Sequence, residues 1–305
     1  MSNPNNVIEH MTSFIARAIS PILLLMFTYC SNWGQRKSDL FEKAENRGKV
    51  SNDLEEASGL VASYQNAGKL WTLNDSGNPP EIFLLNDEGE IEMTCKLRKA
   101  DNRDWEDIAI GPGPSDSTKY LYIGEIGDND AKYDYKYLYR VIEPTFKGDK
   151  NISIEKFDTI VISLPDGKRD MESITIDQTT GDLYLISKRE ENVNLYLAPA
   201  SALVPGDTLV PQKIGTLPFH NVVAVNFSQD SKELLVKTYD EVYYWNKPDS
   251  VSILQALLNT PIELNYKREP QGEAVAWSLD GSGFYTLSET TKDTSGKLYF
   301  YKRAK

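Results

Sequence analysis

Residues 101–130 read DNRDWEDIAIGPGPSDSTKYLYIGEIGDND. A charged turn, Arg103 to Asp107, passes into a short apolar strand, Ile108-Ala109-Ile110. A loop of Gly, Pro, Ser and Asp follows, and a second strand, Tyr120 to Ile123, ends in the acidic turn Glu125-Ile126-Gly127-Asp128-Asn129-Asp130. Short apolar runs punctuated by such turns are the mark of antiparallel β-structure. The unit recurs. Its first strand is matched by Ser58-Gly59-Leu60-Val61, Glu172-Ser173-Ile174-Thr175, Val223-Ala224-Val225-Asn226 and Glu273-Ala274-Val275-Ala276. The leading positions 58, 106, 172, 223 and 273 lie 48, 66, 51 and 50 residues apart.

Each unit continues with a second strand (LWTLN, LYIGE, LYLIS, LLVKT, FYTLS) and a third (IFLLN, YLYRV, NLYLA, VYYWN, LYFYK). The first four units add a fourth strand, ending TCKLR, VISLP, IGTLP and IELNYK. Four strands at a period of about 40–50 residues describe a β-propeller blade. The fifth unit stops after its third strand, and Gly48-Lys49-Val50-Ser51, ahead of the first unit, offers the missing one. Lending it closes the ring and leaves no open edge there. The expected fold is therefore all-β: a propeller of five four-stranded blades over 47–305, closed by an N-terminal strand. The second unit is longer than the others, with its excess at 145–160, which keeps six blades as the alternative. A β-sandwich of short strands does not explain five in-order copies.

The strings EASGL, LWTLNDSGN, NRDWEDIA, LYIGEIGDN, YRVIEP, ESITID and GDLYLISKR resemble a family of bacterial secreted propeller proteins. More distantly they are similar to the SdiA-regulated, SMP-30/NHL and phytase-like propellers. The resemblance implies a propeller and an extracytoplasmic site, and brings no established reaction with it.

The chain has 305 residues, with 33 Lys and Arg against 45 Asp and Glu, for a formal charge of −12. That balance argues against a nucleic-acid partner, which demands clustered basic residues, and permits cations or cationic ligands. In residues 11–30, Arg17 precedes an apolar run, Ala18 to Tyr29, that ends at Cys30. The run is too short to span a bilayer and reads as a signal h-region. It resembles a bacterial lipoprotein signal. The expectation is a signal over 1–30, lipidation at Cys30, a polar tether over 31–46, and a monomer held to the cell-envelope membrane by lipid alone. An ordinary secretion signal is the alternative. Cys95 is then the one remaining thiol, in the strand IEMTCKL, so no disulfide framework supports the fold.

In a propeller the loop before the first strand and the loop after the second share a face around the central channel. Those loops supply the candidate channel-face residues Asp75, Trp105, Asp107, Lys188, Arg189, Lys237, Tyr239 and Glu289. Trp105 and Tyr239 offer an apolar floor to a sugar or a peptide. Glu106, Glu172 and Glu273 hold matching leading positions, so a closed ring brings them together. Crowded carboxylates require a proton, a cation or a basic side chain. Ca²⁺ suits such oxygen donors, with Glu125 and Asp128 as further ligands. The other reading pairs these acids with Arg103, Arg169, Lys188, Arg189 or Lys237. Asp128-Asn129-Asp130 lacks the glycine and final glutamate of an EF-hand loop. With only His10 and His220, imidazole-based zinc or nucleophile chemistry has little to work with, whereas paired carboxyl groups can serve as acid and base. Two function classes follow: a lipid-anchored binding or scaffolding module for a small molecule, glycan or envelope protein, and a metal-dependent hydrolase of the lactonase or phosphoester kind.

Overall fold

The computed structural model describes residues 37–115 and 117–305. The expected signal and the lipidation site Cys30 lie outside the described residues. Five antiparallel sheets form a ring. Blade 1 comprises Ala57–Ala62, Leu70–Asn74, Glu81–Leu85 and Ile91–Leu97; blade 2 comprises Trp105–Pro112, Lys119–Glu125, Lys136–Ile142 and Asp158–Ile162. Blade 3 is Met171–Ile176, Leu183–Ser187, Val193–Ala198 and Gln212–Leu217; blade 4 is Val222–Phe227, Glu233–Thr238, Val242–Asn246 and Ile262–Leu264. Blade 5 takes Gly272–Trp277, Gly283–Ser288 and Lys297–Lys302 from one end of the chain and Glu45–Lys49 from the other. The innermost strands touch in sequence, and the fifth touches the first.

The inner two strands of each blade are almost wholly buried because both faces pack on neighbouring blades. Trp71 lies in the core between blades 1 and 2, Tyr122 in that between blades 2 and 3, and the Tyr184 ring meets Phe227 edge-on across blades 3 and 4. Polar latches cross the same seams. The Asp107 carboxylate accepts N–H bonds from Ile108 (2.8 Å) and from Ile174 of the next blade (2.9 Å). Its neighbour Gly59 adopts φ +66°, and a Cβ there would lie 2.8 Å from the Asp107 carboxylate oxygen, so that close approach needs glycine.

The excess in the second unit does not make a sixth blade. Residues Asn151–Ile154 run parallel to Ile91–Leu97 and extend the outer edge of blade 1. The same device recurs around the ring. The connection from third to fourth strand in blade 3 sends Thr208–Leu209 to the edge of blade 2. In blade 4 it forms a short helix, Ile253–Leu257, whose Leu254 packs against Gly215 on the edge of blade 3. The outer edges of blades 1, 2 and 3 are thus covered from the following blade, which blocks edge-to-edge pairing with other chains.

Closure by an N-terminal strand holds, with pairing at Glu45–Lys49. The reading of 31–46 as a tether fails over its described part. Lys37–Ser38 pair in parallel with Glu263–Leu264 on the edge of blade 4, and Phe41 is buried against Tyr244, Trp277 and Phe284. A lone Leu40-Phe41 pair amid polar residues carries no periodicity, so the docking was not visible before the blades were in place.

Candidate functional site

Every innermost strand carries a register shift near its start. The shift skips Gly59 in blade 1, then Glu106, Glu172, Val223 and Glu273 in turn. A bulge leaves one residue unpaired and re-aims its side chain. In three blades that residue is glutamate. Carboxylate oxygens of Glu106, Glu172 and Glu273 come within 4.8 Å of one another, although they belong to three different blades. A second group, Asp75, Asp104 and Glu106, meets the same limit and shares Glu106 with the first.

The position just after each second strand forms a further tier: Asp75, Ile126, Lys188, Tyr239 and Glu289. Main-chain bonds from Asp75, Ile126, Lys188 and Glu289 to the carbonyls of Glu56, Asp104, Asp170 and Gln271 fix it against the turn before the first strand. Lys188 places its ammonium 2.6 Å from Glu172 and 5.2 Å from the centre of the Tyr239 ring. The Tyr239 hydroxyl donates to Glu273 at 2.6 Å.

Acids outnumber bases here, and the acids respond. Burial, then the charges of Glu172 and Asp75, push the Glu106 carboxyl well above its ordinary range, and sharing a hydrogen bond with Glu172 adds to the shift. Burial raises Glu172 to about 8, even though Lys188 and the Glu106 bond pull it back. Burial and the nearby Glu273 raise Glu289 to about 8, and Glu289 donates to Glu273. Asp75 rises to about 7, again mainly by burial, with Asp104, Glu273 and Glu56 adding to it. Burial works against the charge of Lys188, but Glu172 and Glu273 overcome it and strengthen its hold on the proton.

The sign of the resulting pH dependence is fixed. These folded-state values stand above those of unfolded carboxyls, so their protons stabilise the fold. That contribution is complete below about pH 4 and is lost as the pH rises through about 7–8. With chelator present, the melting temperature is expected to fall between about pH 5 and 9, and Glu172→Gln or Glu289→Gln to flatten that fall. A wild-type curve flat across this range would contradict the protonated mouth.

The structure separates the other candidates. Glu125 does not join the glutamate group; it accepts N–H bonds from Arg103 and Asp104 and pairs with the Arg103 guanidinium at 3.0 Å. Asp128 is likewise spent, on the Lys136 ammonium (2.9 Å) and the N–H groups of Lys132 and Tyr133. Trp105 is no floor: it is fully buried between blades 1 and 2, with its indole N–H on the Asp101 carbonyl. Asp107 is an inter-blade latch. Lys237 is buried, and its ammonium donates to the carbonyls of Thr238 (2.9 Å) and Gly272 (2.5 Å). Arg189 lies at the exposed rim, paired with Asp170 at 2.6 Å. Arg169 is taken by Asp166 and Glu190. Of the five bases proposed to neutralise the glutamates, only Lys188 ion-pairs with one of the three. His220 is exposed and meets the Glu190 carbonyl. Asp104, present in the opening turn but not selected, belongs with Glu106, and the recurrence of Glu56, Asp104 and Asp170 two residues before the leading positions was the signal for it.

No family model and no curated protein matches this chain. A solved structure described as U3-55K superposes over 80% of this chain and 79% of its own, at 10% identity and a TM-score of 0.41. So weak a superposition carries no argument.

Proposed function

We propose that this protein is a lipid-anchored β-propeller of the cell envelope that acts as a binding or scaffolding module, and that its channel mouth takes a divalent cation, Ca²⁺ by preference. The observation that carries the cation is the convergence of Glu106, Glu172 and Glu273 within 4.8 Å, with Lys188 the single base ion-paired to one of them among the described residues. The donors are hard oxygens throughout, and Asp75 and Asp104 extend the set toward the six to eight that Ca²⁺ accepts. Charge supports the same reading, because a cation would take the place of the protons now shared by the buried acids. A metal-dependent hydrolase is the second reading, favoured by buried carboxyls at about 7 and about 8, near the range useful for acid–base transfer at neutral pH.

Melting in EDTA and then in millimolar Ca²⁺ tests the cation. A ligand of the folded state at a hundredfold excess over its Kd adds about 2.7 kcal/mol, which raises the melting temperature by about 5–10 °C in a chain of this size. Glu106→Gln and Glu172→Gln should each abolish most of that rise. An unmoved melting temperature would sink the site. Ester or lactone turnover that is lost both on chelation and in Glu106→Gln would favour the hydrolase instead.

A further inference from the structure

Beside the mouth, between blades 4 and 5, lies a cleft of about 530 Å³ lined by Asn221, Tyr239, Asp240, Arg268, Pro270 and Gln271. We propose that this cleft is a carbohydrate subsite that seats one sugar unit of a glycan. The proposal rests on the binding-module reading and names its ligand class; it does not require the cation.

The repeat shows why this part of the mouth differs. Two residues before the leading position of each repeat the chain carries Glu56, Asp104, Asp170, Asn221 and Gln271. Three blades place a carboxylate there and two place a primary amide. Asn221 and Gln271 are also the two of that set with left-handed backbones, at φ 58° and 47°. Such a conformation is uncommon for asparagine and rarer for glutamine, and it gathers at functional sites. Asn221 is half-buried and Gln271 exposed, so both side chains reach solvent at the cleft. Two solvent-accessible amides, each with donors and an acceptor, therefore border one cleft.

The remaining lining fits the same ligand. Arg268 and Asp240 pair at 2.5 Å with both side chains largely exposed, so they present planar donors and acceptors with no net charge. Glu269 also lines the cleft, so the lining has no excess of positive charge and disfavours an anionic ligand. The Tyr239 ring is steadied by its bond to Glu273, and with Pro270 it supplies the apolar surface a pyranose needs. Beneath the cleft Glu269 is buried and accepts from Thr286 at 2.6 Å, which holds this turn in place. The volume falls in the range of small-ligand pockets.

The test uses the purified full chain, with saturation-transfer NMR against the methyl glycosides of glucose, galactose and N-acetylglucosamine. At least one should bind. Asn221→Gly and Gln271→Gly remove the amides while keeping a residue at ease in the left-handed region. The double variant should weaken binding by at least about tenfold, equivalent to about 1.4 kcal/mol, and leave any calcium-dependent melting shift in place. Absence of signal with all three glycosides overturns the proposal, as does binding that the double variant leaves unchanged. If glycoside binding is lost in the double variant but calcium never shifts the melt, the cation reading falls and the sugar site stands.

Discussion

Glu143→Ala is expected to lower the unfolding free energy by about 3–5 kcal/mol, among the largest effects of any single substitution in this fold. The residue follows the third strand of blade 2, yet its carboxylate serves blade 1. It accepts from the Ser63 hydroxyl (2.5 Å), the N–H groups of Tyr64 (3.0 Å) and Gln65 (3.1 Å), and the Trp71 indole (3.0 Å). Ser63 and Trp71 are fully buried, so losing the acceptor strands donors that water cannot reach. Glu143→Gln keeps one oxygen and should cost about half as much. Urea unfolding followed by intrinsic fluorescence would measure both. A midpoint for Glu143→Ala within error of wild type, or of the exposed control Glu155→Ala, would refute the latch.

Removing the segment through Ala44 is expected to be severe, although a tether over 31–46 would have made it harmless. The truncation strips the parallel strand Lys37–Ser38 from blade 4 and empties the Phe41 site. Phe41 stacks edge-on against Phe284 at 4.9 Å and lies under the Arg303 guanidinium. Phe41→Ala alone should cost about 3–5 kcal/mol. Extending the truncation through Ser51 also takes the closing strand, exposes Lys297–Lys302 as a bare edge, and should move the protein into aggregates. Soluble yield and size-exclusion profile distinguish the cases. Equal behaviour of wild type and the shorter truncation would show that the segment contributes nothing.

The blades were legible because each is a local object. Apolar strand, turn, apolar strand is written in contiguous residues, and recurrence at matched spacing turned five weak signals into one strong one. The three glutamates were legible for the same reason: Glu106, Glu172 and Glu273 hold one repeat position, so closing the ring had to bring them together. What escaped was whatever a side chain does across a seam. Trp105 and Lys237 read as channel-facing, but the register shift rotates Glu106 rather than Trp105 toward the axis, and Lys237 lies within the second strand opposite Ala224 and turns into the wall. Glu125 and Asp128 share the acidic turn with good calcium ligands in composition only; their oxygens close local loops. The role of Glu143 depends on residues about eighty positions away in sequence, for which no short-range pattern exists.

The closing strand also sets an order of events in time. Glu45 pairs with Phe300 across 255 residues, and the bridge from Phe41 to Arg303 spans still more. A ribosome makes Glu45–Lys49 first, but its partner arrives only with the last strand. Until then the early strand has nothing to join, and all five inner strands lack a complete circle. Contacts so distant along the chain form slowly, because the intervening loop must close before they repay its entropy. The Leu40 carbonyl meets the Ala304 N–H at 2.9 Å, which sets the two ends of the described chain side by side. Joining those ends and opening the chain in an exposed turn such as Asp87–Glu88 would turn the slowest pairing into a hairpin. The permuted protein should refold faster than the natural order, with the same blades at the end.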